Sequence, residues 1–213
     1  MATHRHRLNL RSSQGKRRGR LRACHSATPR LKLPLICMRS IASALVSEDE
    51  FLALPESNQP QELVDGEVIV APSPSFLHQR LSKRLLVALE TWAATREGDV
   101  TIAQAPLDVR FGPGRILQPD LMIFRGSIPD DVETPIDRIP ALCIEVLSNN
   151  RAYDRVTKRY IYAEAGVAEY WVVDPCGVVE RRTGPMLASL ETVADLLTSE
   201  LLPEFSLDLS TLF

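Results

Sequence analysis

The sequence predicts an α/β fold in which a mixed β-sheet is flanked by helices. The strongest indication is the segment 140–175, whose pattern predicts a strand, a helix and a second strand. A strand, a crossover helix and a strand of this length form a βαβ unit, which needs a sheet with a helix packed against it. A hairpin and a long amphipathic helix are predicted upstream of this unit.

The first predicted elements are a short helix and a hairpin. Residues 47–54 (SEDEFLAL) predict the helix, because Ser47 and a glutamate three residues later can form a capping box. Residues 61–70 (QELVDGEVIV) predict the hairpin, because apolar residues alternate around an Asp-Gly turn. Glu62 lies close to that turn, where a charged side chain is ordinarily solvated.

A long helix is predicted next, over residues 75–96. Its apolar side chains recur at helical spacing and form one stripe, which consists of Leu77, Leu81, Leu85, Ala88, Leu89 and Trp92. His78 lies near the start of this helix. A lone histidine in that position is more often a capping or surface residue than a ligand, and we expect the same here.

Two further strands are predicted before the central unit. Residues 100–111 alternate between apolar and polar, and Pro106 indicates an edge position or a bulge. After a Gly-Pro-Gly turn, residues 119–124 (PDLMIF) predict the next strand. Asp120 is the only charged residue in it.

The central unit begins with a short apolar run, residues 141–147, which suits a buried strand and is too short for a helix. Glu145 is its only charge, and a carboxylate in an apolar strand is costly unless a cation or hydrogen bonds compensate it. The helix that follows ends at Gly166, and residues 169–174 predict the second strand. A spacing of four places three side chains on one face of the helix, namely Asp154, Lys158 and Tyr162.

The C-terminal part predicts one more strand and a helix. Residues 178–182 predict a strand that returns antiparallel to the preceding one, and a short helix is expected at about residues 190–198. The sequence contains no Gly-rich phosphate loop, no GxSxG elbow and no HExxH motif. Serine hydrolysis therefore has no recognisable nucleophile here.

Charge is distributed unevenly along the chain. Residues 1–47 carry 11 Lys and Arg and no acid, which leaves 14 basic and 27 acidic residues in the remainder, a balance of −13. We expect residues 1–40 to be a disordered basic extension and residues 47–213 to be the folded domain. The extension could be a transit peptide, a basic arm for nucleic-acid phosphates, or an upstream addition before a start at Met38, which is the interpretation we favour.

Cysteine spacing and hydropathy bear on the cellular setting. The four cysteines show neither CxxC nor Cys/His ligand spacing, which suits a reducing compartment and predicts a cytoplasmic protein. No apolar run approaches the roughly 20 residues of a membrane span, so no membrane association is expected.

Asp120 and Glu145 are isolated acids on successive predicted strands. Two acids on neighbouring strands of one sheet can approach closely enough to share a metal ion. Hard oxygen ligands with vacant water positions suit Mg²⁺ or Mn²⁺ better than zinc. Such an ion would acidify a water and neutralise a phosphate during an in-line displacement, and Lys158 nearby would stabilise the charge that builds up.

The order of these residues resembles the PD-(D/E)xK nuclease superfamily, in which a PD pair, an acid on the next strand and a lysine follow one another. The surrounding sequence is similar to one branch of that superfamily, the Uma-type restriction endonucleases, over about residues 47–213. The phrases that carry the resemblance are ELVDGEVIV, PSPSFLHQRL, QPDLMIF, IEVLSNN, YDRVTKRYIYAEAGVAEYWVVDP and LLPEFSLDL.

The resemblance implies a restriction-endonuclease-like mixed β-sheet flanked by helices, with an N-terminal hairpin. It implies that Asp120 and Glu145 bind Mg²⁺, and that Glu62 from the hairpin joins them as a metal ligand. The strict pattern places a lysine two residues after the glutamate, where this chain has Leu147. The resemblance therefore implies that Lys158, on the following helix, takes over the role of that lysine.

Further positions are expected near the site. His78 and Tyr153 match recurrent family positions without an assigned role, and Asp154 shares the helix face of the lysine. Asn149 and Asn150 depart from the Pro/Ser/Thr-rich loop that the family has there, and we expect this loop to contact substrate. Seven arginines are candidates for a local basic patch, namely Arg110, Arg115, Arg151, Arg155, Arg159, Arg181 and Arg182.

The expected function is a Mg²⁺-dependent endonuclease acting on DNA, with Mn²⁺ able to substitute and no organic cofactor. A homodimer is expected for an enzyme that cuts both strands. Two alternatives remain open: a catalytically inactive nuclease-fold domain that binds nucleic acid or a protein partner, and an interaction protein whose acids hold a structural cation. The negative balance of the domain repels nucleic acid at long range and favours the first alternative.

Overall fold

The computed structural model describes residues 45–55, 57–96, 98–148 and 151–213. The predicted basic extension and the predicted substrate loop at Asn149 and Asn150 lie outside the described residues. The helices are α1 Glu48–Leu52, α2 Phe76–Ala93, a π-helix Tyr153–Lys158 that continues into α3 Arg159–Ala165, a 3₁₀-helix Pro185–Leu187 and α4 Leu209–Leu212.

The strands of the described residues fall into three groups. Their bounds are β1 Gln61–Val64, β2 Glu67–Val70, β3 Val100–Gln104, β4 Val109–Gly112, β5 Arg115–Leu117, β6 Leu121–Arg125, β7 Leu142–Val146, β8 Glu169–Asp174, β9 Val178–Thr183, β10 Ser189–Val193, β11 Leu196–Ser199 and β12 Leu202–Asp208. Six strands form one sheet in the order β10-β9-β8-β7-β6-β3, four form a second in the order β2-β1-β5-β4, and β11 pairs with β12.

The predicted βαβ unit is confirmed. Strands β7 and β8 are parallel, with Glu145 opposite Val172, and the π-helix and α3 connect them. The other pairings in the six-stranded sheet are antiparallel. The sheet is therefore mixed and flanked by helices, as the sequence predicts.

Side chains of β7 alternate between two hydrophobic cores. Leu142, Ile144 and Val146 pack in the core that contains the buried leucines of α2, whereas Cys143 packs in the core that contains α3 residues. Glu145 follows the same alternation as Cys143. Its carboxylate is therefore directed to the side of the sheet that the crossover helix covers.

The predicted N-terminal helix and hairpin are also confirmed. The Ser47 hydroxyl accepts a hydrogen bond from the Glu50 N–H, and the Glu50 carboxylate accepts one from the Ser47 N–H, which completes the capping box. In the hairpin, Asp65 and Gly66 have φ values of 50° and 90°. Positive φ at both central residues is what a type I′ hairpin turn requires.

Two predictions of secondary structure are wrong. Residues 100–111 form two strands in different sheets, because the chain leaves the six-stranded sheet at Pro106, which has no N–H for a ladder. The helix predicted at about residues 190–198 is instead strands β10 and β11. Leu196 is exposed while Leu197 is fully buried, and this alternation of period two fits a strand at the edge of the core.

No helix of the described residues is both long enough and apolar enough to cross a membrane.

The packing of α2 predicts how two substitutions two residues apart affect stability. Leu85 is fully buried, whereas Val87 is 56% exposed. We expect Leu85→Ala to lower the free energy of unfolding by about 2–5 kcal/mol, because it leaves a cavity in the core. Urea denaturation followed by circular dichroism measures this, and Val87→Ala, expected within about 0.5 kcal/mol of wild type, is the control. Equal losses in both variants would contradict the packing described here.

Candidate active site

One cavity of about 580 Å³ gathers most of the predicted site residues. Its walls come from α1, the β1–β2 hairpin, the first turn of α2, the ends of β6 and β7, and the π-helix. The charged or titratable side chains that line it are Glu62, His78, Asp108, Asp120, Glu145, Tyr153, Asp154 and Lys158. Elements distant in sequence therefore contribute to a single site.

Glu145 lies at the buried end of this cavity, with a residue exposure of 3%. Its Oε1 accepts hydrogen bonds from Lys158 Nζ at 2.9 Å and from the Tyr162 hydroxyl at 2.6 Å. The face predicted from the spacing of Lys158 and Tyr162 thus meets the carboxylate that the sequence singles out. Leu147, where the strict pattern has its lysine, is buried and packs in a hydrophobic core.

Asp120 immediately precedes β6 and is held against the end of β7. Its Oδ2 accepts a hydrogen bond from the Val146 N–H at 2.7 Å and lies 3.0 Å from His78 Nε2. Because Val146 follows Glu145 directly, this bond places Asp120 and Glu145 at the same end of two neighbouring strands. The His78 side chain is 12% exposed, so the expectation of a surface residue is wrong. The expected capping contact is present, since the backbone N–H of His78 donates a hydrogen bond to the Ser75 hydroxyl.

Glu62 is buried, with a residue exposure of 4%. Its Oε1 lies 3.0 Å from Lys158 Nζ and accepts a hydrogen bond from the Gln118 N–H at 2.9 Å, and its Oε2 accepts one from the Tyr153 hydroxyl at 2.9 Å. The ordinary expectation of a solvated hairpin charge is therefore wrong for Glu62. The ammonium of Lys158 joins the hairpin acid to the acid of β7.

The π-helix explains how Tyr153 and Lys158 reach the same acid. In a regular α-helix, residues five apart point in different directions, whereas the wider π turn brings residues i and i+5 together. The Lys158 ammonium lies 5.5 Å from the centre of the Tyr153 ring, and both side chains contact Glu62. The spacing of four used in the sequence could not predict this contact.

Negative charge exceeds positive charge in the cavity. Among the described residues, five carboxylates line it, from Glu62, Asp108, Asp120, Glu145 and Asp154, against one lysine and one histidine. Within the described residues, no group of three His, Cys, Asp or Glu side chains is arranged to hold a metal ion by itself. Any cation bound here would need oxygen ligands from water or substrate as well.

The pKa values of these groups reflect burial and mutual repulsion. Burial raises the pKa of Glu145 well above its usual range, and the neighbouring carboxylates act in the same direction against Lys158. Burial also raises the pKa of Asp154 from 3.8 to about 6. For Lys158, burial favours the neutral amine, but the surrounding carboxylates outweigh it and hold the pKa well above its usual range. In the same way, Asp120 raises the pKa of His78 despite burial.

The arginines predicted as a basic patch do not line the cavity. Arg151, which is 47% exposed at its side chain, lies 2.9 Å from Asp174. Arg159 donates a hydrogen bond to the Met186 carbonyl. The others also lie within 4.0 Å of acids, and they are Arg110, Arg115, Arg155, Arg181 and Arg182. These acids neutralise the charges that the sequence offered for phosphate binding.

Comparison with known proteins agrees with the fold and with the resemblance. The described fold is similar to that of a putative nuclease of the DUF820 group from Anabaena variabilis, with a TM-score of 0.65 and 22% sequence identity over 79% of this chain and 97% of that chain. No curated protein matches the sequence. Residues 48–210 match the family model of Uma2, "Putative restriction endonuclease". This match spans well over half of the sequence, and the chain therefore belongs to the Uma2 family.

Proposed function

We propose that this protein is a Mg²⁺-dependent endonuclease that hydrolyses phosphodiester bonds of DNA in the acidic cavity. Membership of a family of restriction-endonuclease type supports a nuclease in general. The observation that carries the finer proposal is the contact of Lys158 with Glu145, beside Asp120, where strands β6 and β7 meet at one end of the sheet. This is the acid, acid and lysine set of the PD-(D/E)xK pattern, with the lysine supplied by the crossover helix.

The donor chemistry of the cavity fits a hard divalent cation. Mg²⁺ is usually bound through one or two carboxylates together with waters and substrate phosphates, and not in a cage made by protein alone. We assign Asp120 and Glu145 as its ligands, since both line the same cavity and Asp120 accepts a hydrogen bond from Val146, the residue that follows Glu145 in β7. The contacts with Lys158, Gln118 and Tyr153 use three of the roughly four acceptor positions of the Glu62 carboxylate, so Glu62 would join as a third ligand through the remaining position on Oε2.

The remaining residues orient the reacting groups. When bound, Mg²⁺ would acidify an attacking water and neutralise phosphate charge. An ammonium has three N–H donors, and the contacts of Lys158 with Glu145 and Glu62 use two of them. The third can donate to a phosphate oxygen as negative charge accumulates on it. His78 holds one oxygen of Asp120, so we assign it a positioning role.

Removing either proposed ligand tests the metal-dependent chemistry. We expect Asp120→Asn and Glu145→Gln each to lower the nicking rate about 100-fold or more, because each removes a negative charge from the site of the cation. The assay uses supercoiled and linear DNA with Mg²⁺, Mn²⁺ or EDTA. Asp131→Asn, which changes an exposed loop acid, should retain wild-type activity. Binding of DNA without metal-dependent cleavage by the wild type would support the inactive, binding-domain alternative instead.

Replacing Lys158 separates its role from that of the ligands. We expect Lys158→Met to lower the single-turnover cleavage rate more than it weakens Mn²⁺ binding, because the ammonium acts on the substrate and not on the ion. It should also destabilise the fold by about 3–5 kcal/mol, since Glu145 and Glu62 lose their buried counter-charge. The measurements are cleavage over a range of metal concentrations and Mn²⁺ titration of the folded variant. Equal losses of rate and of metal affinity would rule out the assigned role.

The pKa of Asp154 predicts how stability depends on pH without divalent ions. Its folded-state value of about 6 lies above its ordinary 3.8, so the folded protein holds this proton more tightly than the unfolded chain does. The resulting stabilisation is complete below pH 3.8 and is lost as the pH rises through about 6. We therefore expect Asp154→Asn to gain up to about 3 kcal/mol relative to wild type between about pH 4 and about pH 7.

Urea denaturation in EDTA across this pH range measures the effect. The matched control is again Asp131→Asn, whose exposed side chain should leave the pH dependence of wild type unchanged. Parallel stability curves for wild type and Asp154→Asn would show that Asp154 is not in a crowded acidic site.

A further inference from the structure

The exposed face of α2 carries an aromatic ring and a row of cations. Phe76 is 83% exposed, and Arg80 and Lys83 are exposed one and two turns further along the same helix. Positions i, i+4 and i+7 lie on one face of an α-helix. The opposite face carries the side chains that are fully buried in the core, namely Leu81, Leu85 and Leu89. We call the exposed residues Phe76, Arg80 and Lys83 the α2 stripe.

The cations of the α2 stripe differ from the arginines discussed above. Over the described part of the chain, neither Arg80 nor Lys83 lies within ion-pair distance of an acid. Both line a depression of about 460 Å³ between α2 and the C-terminal segment. Arg84 lines the same depression but donates a hydrogen bond to the Leu212 carbonyl. The positive charge of the stripe is therefore available to an anion from solution.

The stripe begins next to residues that line the acidic cavity. His78 and Gln79, in the first turns of α2, line that cavity, as do Ser73 and Pro74 in the loop before the helix. Phe76 lies between these two pairs of residues in the sequence. From Phe76 to Lys83 the helix rises about 10 Å, which corresponds to about three nucleotides at the B-form spacing of about 3.4 Å along one strand.

We propose that the α2 stripe binds single-stranded DNA and leads it to the acidic cavity. An exposed aromatic ring can stack on a base only where the base is unpaired, and stacking of this kind is the usual contact of single-strand binders. Arg80 and Lys83, one and two turns further along the helix, would contact the phosphates of the same DNA strand. The cavity itself, with five carboxylates and no arginine among its described lining residues, offers little attraction to the denser charge of a duplex. Cleavage of the bound DNA strand inside the cavity rests on the function proposed above.

Binding without cleavage tests the stripe. The full chain, in EDTA, is mixed with a fluorescein-labelled oligo-dT of about 12 nucleotides, a length within the range of single-strand sites. A parallel sample contains a labelled duplex of equal length. Binding is followed by fluorescence anisotropy over a range of salt concentrations. We expect tighter binding of the single strand. Phe76→Ala should weaken that binding about fivefold or more through lost stacking. Arg80→Gln combined with Lys83→Gln should make the fall of log affinity with log salt less steep by about 1.4, the value for two phosphate contacts.

Matched controls lie elsewhere on the surface. Leu190→Ala changes an apolar side chain of β10 that is 51% exposed. Arg125→Gln changes an exposed cation at the end of β6, where its backbone is opposite Val100 of β3. Both should bind as wild type does. The basic N-terminal residues are present in every variant, so the comparison of the stripe variants with these controls is made against the same background.

Each outcome has a distinct meaning. Equal affinity for single strand and duplex, or stripe variants that bind as the controls do, overturns the stripe even if the protein cleaves DNA. If the stripe variants lose single-strand binding while wild type shows no metal-dependent cleavage, the stripe stands and the nuclease proposal fails. Thermal unfolding of each variant, expected at the wild-type temperature because the side chains are exposed, verifies that the changes in binding do not come from unfolding.

Discussion

The buried ammonium of Lys158 is the interaction on which the geometry of the site depends. It lies between Glu145 of the six-stranded sheet and Glu62 of the hairpin, which belongs to the other large sheet. Its own backbone belongs to the crossover helix, so one charge links three elements that are distant in sequence. Without that charge, two buried carboxylates would face each other with no cation between them, which costs free energy.

The buried charged side chains around Lys158 are an unfavourable arrangement for stability, and this argues that they have a functional role. Burying charged groups costs free energy that their attraction repays only in part, and well-packed apolar side chains in the same positions are often more stable. Here the acids outnumber the cations, so repulsion among carboxylates adds to the cost, and both burial and the neighbouring carboxylates raise the pKa of Glu145 and of Asp154. A cavity that keeps such groups together is typical of a site that binds a cation or carries out acid–base chemistry.

The sequence predicted the parts of the site that depend on local pattern. Isolated acids in apolar strands identified Asp120 and Glu145, and a spacing of four placed Lys158 and Tyr162 on one helix face. The local pattern did not predict the burial of Glu62, because QELVDGEVIV resembles any solvated hairpin and the lysine that neutralises the acid comes 96 positions later. Only the family resemblance placed Glu62 beside the other two acids. The π-helix was equally hidden, since residue spacing alone does not distinguish it from an α-helix.

Charge is where sequence and structure differ most, and the difference is physical. A balance of −13 summed over residues 48–213 suggests that the domain repels DNA, but screening confines charge effects to about 8 Å at physiological salt. What matters at that distance is whether each cation has an acid beside it. The arginines of the predicted basic patch other than Arg159 have such partners, whereas Arg80 and Lys83 have none among the described residues. Because an acidic cavity attracts a cation and repels a phosphate backbone, the DNA affinity that the proposed function requires must come from a neighbouring surface. The exposed face of α2 combines an aromatic ring with two cations that have no acid beside them among the described residues, and it lies next to residues that line the cavity.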